Sequence, residues 1–323
     1  MRSLRSASPT SPGFPASREP GPHPATGARP GSLRAWVMAA RVPTLSAAVV
    51  PVLVGSGTAV ALDRPVHLGA FGAALIASLL IQIGSHLANV LYDVRRGADT
   101  EERMGPVRVT HAGLLSPEQV ARGMLICFGL AVAVGMYLVW LRGWPILLIG
   151  LSAIACGVLY TAGPWPLAYH GLGDVFTFIY FGFVAVVGTH YLHAGALDGL
   201  AFAAALPVGM LVTAILTVNN LRDIPTDRET GKRTLAVRLG DRGTRVQYAL
   251  LVAGAFLISP ALYWSYTAGP SVWLPWLTLI FAARLIRTVL GGASGPDLNP
   301  VLKDTGRLHL LFGLLFAAGL GWS

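Results

Sequence analysis

Apolar stretches near the length needed to cross a bilayer recur along this chain, and they leave few folds open to it. A helix rises about 1.5 Å per residue, so about 20 apolar residues cover a hydrocarbon core roughly 30 Å thick. Nine such stretches follow one another from residue 35, at about 35–61, 67–92, 118–141, 144–163, 172–194, 199–221, 246–268, 271–291 and 306–322. Only 12% of the 323 residues are charged, and mean hydropathy is +0.60. Soluble domains carry about 25% charged residues, so this chain lacks the polar surface to clothe a globule in water. The expected fold is an all-α integral membrane protein with about nine transmembrane helices.

The first 34 residues are of a different composition, with seven of the 22 prolines, five arginines and one acid. No apolar run crosses them, so residues 1–34 read as a disordered tail and 35–323 as the membrane domain. Cys127 and Cys156 lie inside apolar stretches without paired or metal-ligand spacing and read as apolar filler. The net charge of +9 does not point to nucleic acid, because the basic residues sit between spans, where topology and anionic lipid account for them. The 93–117 connection carries Arg95, Arg96, Arg103 and Arg108, and the 222–245 connection carries seven basic residues. The positive-inside rule puts both, with the amino terminus, in the cytoplasm. The opposite side receives sparse charge, such as Arg64, Arg142 and Asp198.

The acids carry the functional signal. Seven of the 15 fall in the windows 93–102 and 223–229, each at the same end of an even-numbered span. The first window follows Asn89 with Asp93, Gly97 and Asp99. The second follows Asn219 and Asn220 with Asp223, Pro225 and Asp227. Asp93 and Asp223 are 130 residues apart, a spacing that suggests internal duplication. Residues four apart share a helix face, so Asn89 projects with Asp93 and Asn219 with Asp223. Gly97 and Pro225 then end or bend the helices and let Asp99 and Asp227 turn back. Four carboxylates converging in one cavity would repel, each costing roughly 2.5–3.5 kcal/mol at bilayer depth. Mg²⁺ resolves that conflict, since it takes oxygen ligands and bridges a few carboxylates to substrate phosphates. One window alone would fit a solvated face paired with arginines; two like windows favour metal–diphosphate binding.

Longer strings sharpen this. The segment from Arg95 to Arg108 resembles the first aspartate motif of the UbiA-type prenyltransferase superfamily, and the segment from Asn219 to Gly240 resembles its second. The stretch from Tyr160 to Asp174 and the run Leu298-Asn299-Pro300-Val301-Leu302 are also similar to that family. Within it the strings most resemble the naphthoate polyprenyltransferases. The resemblance spans about residues 35–322 and implies nine helices around a central cavity, capped by cytoplasmic loops and open laterally to lipid. It implies Mg²⁺-dependent transfer of a polyprenyl group from its diphosphate to an aromatic acid, in a bacterial inner membrane. Asp93, Asp99, Asp223 and Asp227, with Asn89 and Asn219 or Asn220, would hold Mg²⁺ against the diphosphate. Arg108, Lys232 and Arg233 would neutralise the remaining phosphate oxygens. In the naphthoate branch the carbon attacked carries the carboxylate, so transfer comes with loss of CO₂.

Weaker candidates have plain alternatives. Asp174 is either a substrate-site acid or a helix cap, Arg41 a diphosphate or carboxylate ligand or a membrane anchor, and Tyr160 a donor-pocket or interfacial aromatic. His190 and His193 read as interfacial polar residues, and Phe176, Phe178, Tyr180, Phe181 and Phe183 as lipid or packing contacts before tunnel lining. A transporter would place its acids nearer the bilayer midplane, and the aspartate run of phosphatidyltransferases is absent. The nearest rival is the same chemistry on homogentisate or 4-hydroxybenzoate.

Overall fold

The computed structural model describes residues 27–96, 109–266 and 269–322. Gly97, Asp99, Arg103 and Arg108 of the first motif lie outside them, as do residues 1–26 of the expected tail. Among the described residues the regular structure is helical throughout. The chain runs α1 (Leu33–Ala40), α2 (Ser46–Ala61), α3 (Leu68–Arg95), α4 (Pro117–Arg142), α5 (Trp144–Leu159), α6 (Gly173–Thr177) and α7 (Ala185–Ala194). It continues α8 (Gly199–Arg222), α9 (Ile224–Glu229), α10 (Leu235–Ser265), α11 (Leu279–Leu290) and α12 (Leu298–Gly321). Six helical segments among the described residues are long and apolar enough to cross a membrane: Leu68–Arg95, Pro117–Arg142, Gly173–Ala194, Gly199–Arg222, Leu235–Leu262 and Pro270–Leu290. Leu33–Thr44 and Ser46–Ala61 make a seventh if their 50° bend is taken within one span, and α5 is a shorter apolar helix. With large apolar side chains such as Leu125, Trp140, Leu250 and Ile280 exposed on the helices, the protein is an integral membrane protein.

Helix ends follow local rules. Ser32 caps α1 by accepting from the Ala35 amide, and Ser116 and Gln119 form a reciprocal capping box on α4. Two unexpected boundaries matter for the site. The connection after α8 is not a plain loop: Pro225 opens the short helix α9, and α10 then starts at Leu235, eleven residues before the expected span, bending at Gly240 where φ is 69°. Between α6 and α7, Phe178–Val184 winds as a π-helix. Phe176, Thr177, Tyr180, Phe181, Val184, Ala185, Gly188, Thr189 and Leu192 consequently face one cavity with a four-residue repeat. At 100° per residue, an unbroken α-helix would rotate that face away by about 160° over the same 16 residues. The five aromatics divide accordingly: Phe176, Tyr180 and Phe181 line the cavity, while Phe178 packs edge-on against Phe183 and Phe183 against Phe202.

The core is held by small residues at helix crossings, as bilayer-embedded helices require. A Cβ on Gly57 would stand 2.8 Å from the Ala317 carbonyl oxygen, and one on Gly313 would run into Val50. At the end of the bundle away from the acids, the structure corrects the reading of the histidines. His190 and His193 are fully buried, not interfacial. His190 Nε2 lies 2.8 Å from Asp198 and Nδ1 3.0 Å from Thr58 Oγ1; His193 Nε2 lies 2.9 Å from Ser56 Oγ. Arg142 donates to the Leu192 and His193 carbonyl oxygens at the end of α7, satisfying acceptors that a helix terminus leaves open.

The α2–α12 crossing gives a direct test. Gly57→Ala should lower the melting temperature of the detergent-purified protein, corresponding to about 1–3 kcal/mol of overpacking. Gly72→Ala, where a Cβ meets nothing within 4 Å, should leave it unchanged or slightly higher.

Candidate active site

The carboxyl ends of α3, α5 and α8 and the amino ends of α6, α10 and α12 come together at one end of the bundle, over a cavity of about 710 Å³. Its walls are apolar along most of their length. At the motif end they carry Asn89, Asp93, Asn219, Asn220, Arg222 and Lys232, with Arg41, Tyr160 and Thr161 beside them. This pairing of a polar end with an apolar shaft suits a ligand with a charged head and a hydrocarbon tail.

On α3, Asn89 and Asp93 share a face as their spacing requires. Asn89 Oδ1 accepts from Thr161 Oγ1 at 3.0 Å, and Tyr169 Oη sits 3.4 Å from Asp93 Oδ1. Both partners belong to the 160–174 connection, which therefore braces the first motif. Tyr169 also lies under two cations, with Lys232 Nζ 5.5 Å and the Arg96 guanidinium 5.2 Å from its ring centre.

On α8 the arrangement is tighter. Arg222 is 2% exposed, and its donors are spent on fixed partners. Nε and Nη2 grip the two Asp223 oxygens at 2.8 Å each, Nη2 reaches Asn219 Oδ1 at 2.9 Å, and Nη1 reaches Asn299 Oδ1 of α12 at 2.8 Å. Asp223 is thus held bidentately by a neighbouring guanidinium and does not stand among the residues lining the cavity. Its backbone carbonyl accepts from the Asp227 amide at 2.8 Å, carrying the helical repeat across the junction into α9. Asp227 is buried, 3.6 Å from Lys232 Nζ.

The other sequence candidates separate. Asn220 is buried and lines the cavity with Asn219 and Tyr160. Arg41 lines it from the break between α1 and α2, in a left-handed conformation (φ 51°) that a non-glycine residue adopts only when its surroundings impose it. Arg233 is exposed and outside the lining, with its amide donating to the Tyr169 carbonyl. Asp174 occupies the first turn of α6 rather than its cap and accepts from Gln247 Nε2 at 2.9 Å, also outside the lining.

Among the described residues no three His, Cys, Asp or Glu side chains gather as a metal cage. That does not disfavour Mg²⁺, which is commonly held by one or two carboxylates plus substrate phosphates and water. The donors facing the cavity end are a carboxylate and amide oxygens, all hard ligands, so the residues present fit this ion. Reading the sequence missed Arg222, Thr161, Tyr169 and Asn299 as site residues. Each lies inside a segment already marked by its motif, and only the fold shows that these segments touch.

Comparison with known proteins gives the family. The model of the UbiA prenyltransferase family matches residues 48–293. The 1,4-dihydroxy-2-naphthoate octaprenyltransferase of Mycobacterium leprae is 38% identical over 291 residues, covering 90% of this chain and 97% of that one. The protein of the same name from Escherichia coli K12 is 35% identical, covering 89% and 95%. Among solved structures, a UbiA homolog from Archaeoglobus fulgidus bound to GPP and Mg²⁺ superposes with a TM-score of 0.64 at 17% identity, over 88% of this chain and 99% of that one. The chain is therefore a prenyltransferase and belongs to the UbiA prenyltransferase family.

Proposed function

We propose that this protein transfers a polyprenyl group from its diphosphate to 1,4-dihydroxy-2-naphthoate, with loss of CO₂, giving a demethylmenaquinol for menaquinone biosynthesis. The observation that carries the reading is the apolar cavity ending in Asn89, Asp93, Asn219, Asn220 and Lys232. The acceptor assignment is supported by relatives of that name whose lengths the chain nearly spans. Nine membrane spans around this cavity, with the motif loops in the cytoplasm of a bacterial inner membrane, complete the proposal.

In this reading the diphosphate lies at the polar end and the prenyl tail along the apolar shaft. Asp93 and Asn89 would hold Mg²⁺ from α3, and Asp223, Asp227 and the Asn219–Asn220 pair would serve it from the second motif. Asp99 completes the first motif as a further metal ligand. Bound Mg²⁺ supplies neutralisation of the charge that develops on the departing diphosphate. Lys232 adds a cation beside Asp227, and Arg108 is assigned the same role from the first motif. Tyr160 borders the donor, Arg41 pairs with an anionic group of either substrate, and Arg233 and Asp174 act at the margin of the site. The allylic C–O bond breaks with its electron pair going to the diphosphate. The apolar wall keeps water from the cationic carbon left behind. The electron-rich ring bonds to that carbon at the position carrying the carboxylate. The pair of the ring–carboxylate bond then returns to the ring as CO₂ leaves, so the step balances without an oxidant.

Three outcomes are expected. Excess EDTA should abolish turnover by the purified protein and added Mg²⁺ should restore it; full activity in chelator would remove the metal from the mechanism. Asp93→Asn keeps shape and most hydrogen bonding but removes the charge. It should lower the transfer rate at least about a hundredfold while the melting temperature stays near that of the parent protein. Acceptor labelled in its carboxyl carbon should release labelled CO₂ in step with product, and the naphthoate should outcompete homogentisate and 4-hydroxybenzoate. Product that keeps the label would refute the naphthoate assignment and leave the fold and metal site standing.

A further inference from the structure

Below the motif residues, α3 carries a second polar group for which the donor substrate has no use. Gln82, His86, Asn89 and Asp93 recur at helical spacing along one face, and all four line the cavity. Seven residues of helix separate His86 from Asp93, so His86 lies about 10 Å deeper along the shaft. Gln82 and His86 are 8% and 9% exposed. His86 Nε2 is 3.2 Å from Gln82 Nε2 and 3.2 Å from Thr44 Oγ1, and the Thr44 hydroxyl is itself 2.9 Å from the Arg41 carbonyl oxygen.

Both contacts fall on Nε2, which leaves Nδ1 as a donor or an acceptor according to the tautomer. Among the described residues neither His86 Nδ1 nor Gln82 Oε1 has a hydrogen-bond partner. Two polar atoms on residues that line an otherwise apolar shaft, without a protein partner, suit a polar ligand. A prenyl tail is hydrocarbon and brings none. The diphosphate is served by Asp93 and Lys232, a helix turn and more away. Of the two substrates only the aromatic acid carries hydroxyl groups.

We propose that His86, oriented by Gln82 and Thr44, is a specificity-determining residue whose Nδ1 hydrogen-bonds a ring hydroxyl of the aromatic acceptor. The inference rests on the function proposed above and adds to it the side chain that reads the acceptor. A site that hydrogen-bonds a substrate hydroxyl rejects analogues lacking it, because its own buried group is then left unpaired. Gln82 is a positioning residue in this scheme: it holds the ring at Nε2.

The test uses the full-length wild-type protein, His86→Leu and His86→Asn. Each is assayed with 1,4-dihydroxy-2-naphthoate and with the two monohydroxy 2-naphthoates lacking either hydroxyl. Donor and Mg²⁺ titrations run alongside. Wild type should discriminate against one monohydroxy acid. His86→Leu should raise the acceptor KM about tenfold and erase that discrimination, with the donor KM and the Mg²⁺ half-saturation staying within about twofold. His86→Asn, whose amide can still hydrogen-bond a hydroxyl, should recover part of both. A leucine variant that keeps wild-type discrimination overturns the proposal, and so does one in which donor and acceptor KM rise together, the mark of a merely structural residue. If His86→Leu does not fold, His86→Asn and Gln82→Leu decide by the same criteria. Should wild type prefer another aromatic acid, the naphthoate reading fails on its own, and that acid with its deoxy analogues still decides the role of His86.

Discussion

A guanidinium buried at the end of a membrane bundle must spend its donors on the protein, and Arg222 organises the second motif by doing so. Left unpaired, its charge would cost several kcal/mol in such surroundings. Paired with Asp223, Asn219 and Asn299, it fixes three side chains from two helices in one plane. The pull of α12 into this contact brings its amino end beside the junction of α8 and α9, where the metal-binding residues are proposed to act. The first motif is braced by a different segment, through hydrogen bonds from Thr161 and Tyr169 in the 160–174 connection.

The two ends of the bundle show the same physics used for different purposes. At the end away from the motifs, His190 is paired through both ring nitrogens, with Asp198 and Thr58, and His193 through Nε2 with Ser56, and none of the five lines the cavity described above. Along α3, Gln82 and His86 are also buried but line the cavity. Burial and residue type alone do not separate these clusters. What separates them is whether they line the cavity.

Much of the architecture was legible because the bilayer imposes length and polarity on every span: α3, α4, α8 and the Gly173–Ala194 segment fall within a few residues of the expected bounds. The pairing of Asn89 with Asp93 and of Asn219 with Asp223 was legible from helical periodicity. Less so was the local ion pair: Arg222 reads as an ordinary positive-inside arginine until its burial is seen. Contacts joining distant segments, such as Asn299 to Arg222 across 77 residues, leave no periodic trace. Nor did the start of α10 at Leu235, because its first turns are polar and lie outside any apolar stretch. Asp99 and Arg108 lie outside the described residues, so the first motif is seen here through Asn89 and Asp93 alone.

The π-helical turn at Phe178–Val184 bears on how such a cavity changes over evolutionary time. A π-bulge amounts to one residue too many for an α-helix, accommodated without moving either end. Removing a single codon in this segment would restore ordinary winding and swing Tyr180, Phe181 and their neighbours off the shaft, while α8 and the motif end stayed in place. In the function proposed above, the bore that takes the tail is therefore shaped apart from the chemistry at its mouth, and can be recut in one mutational step.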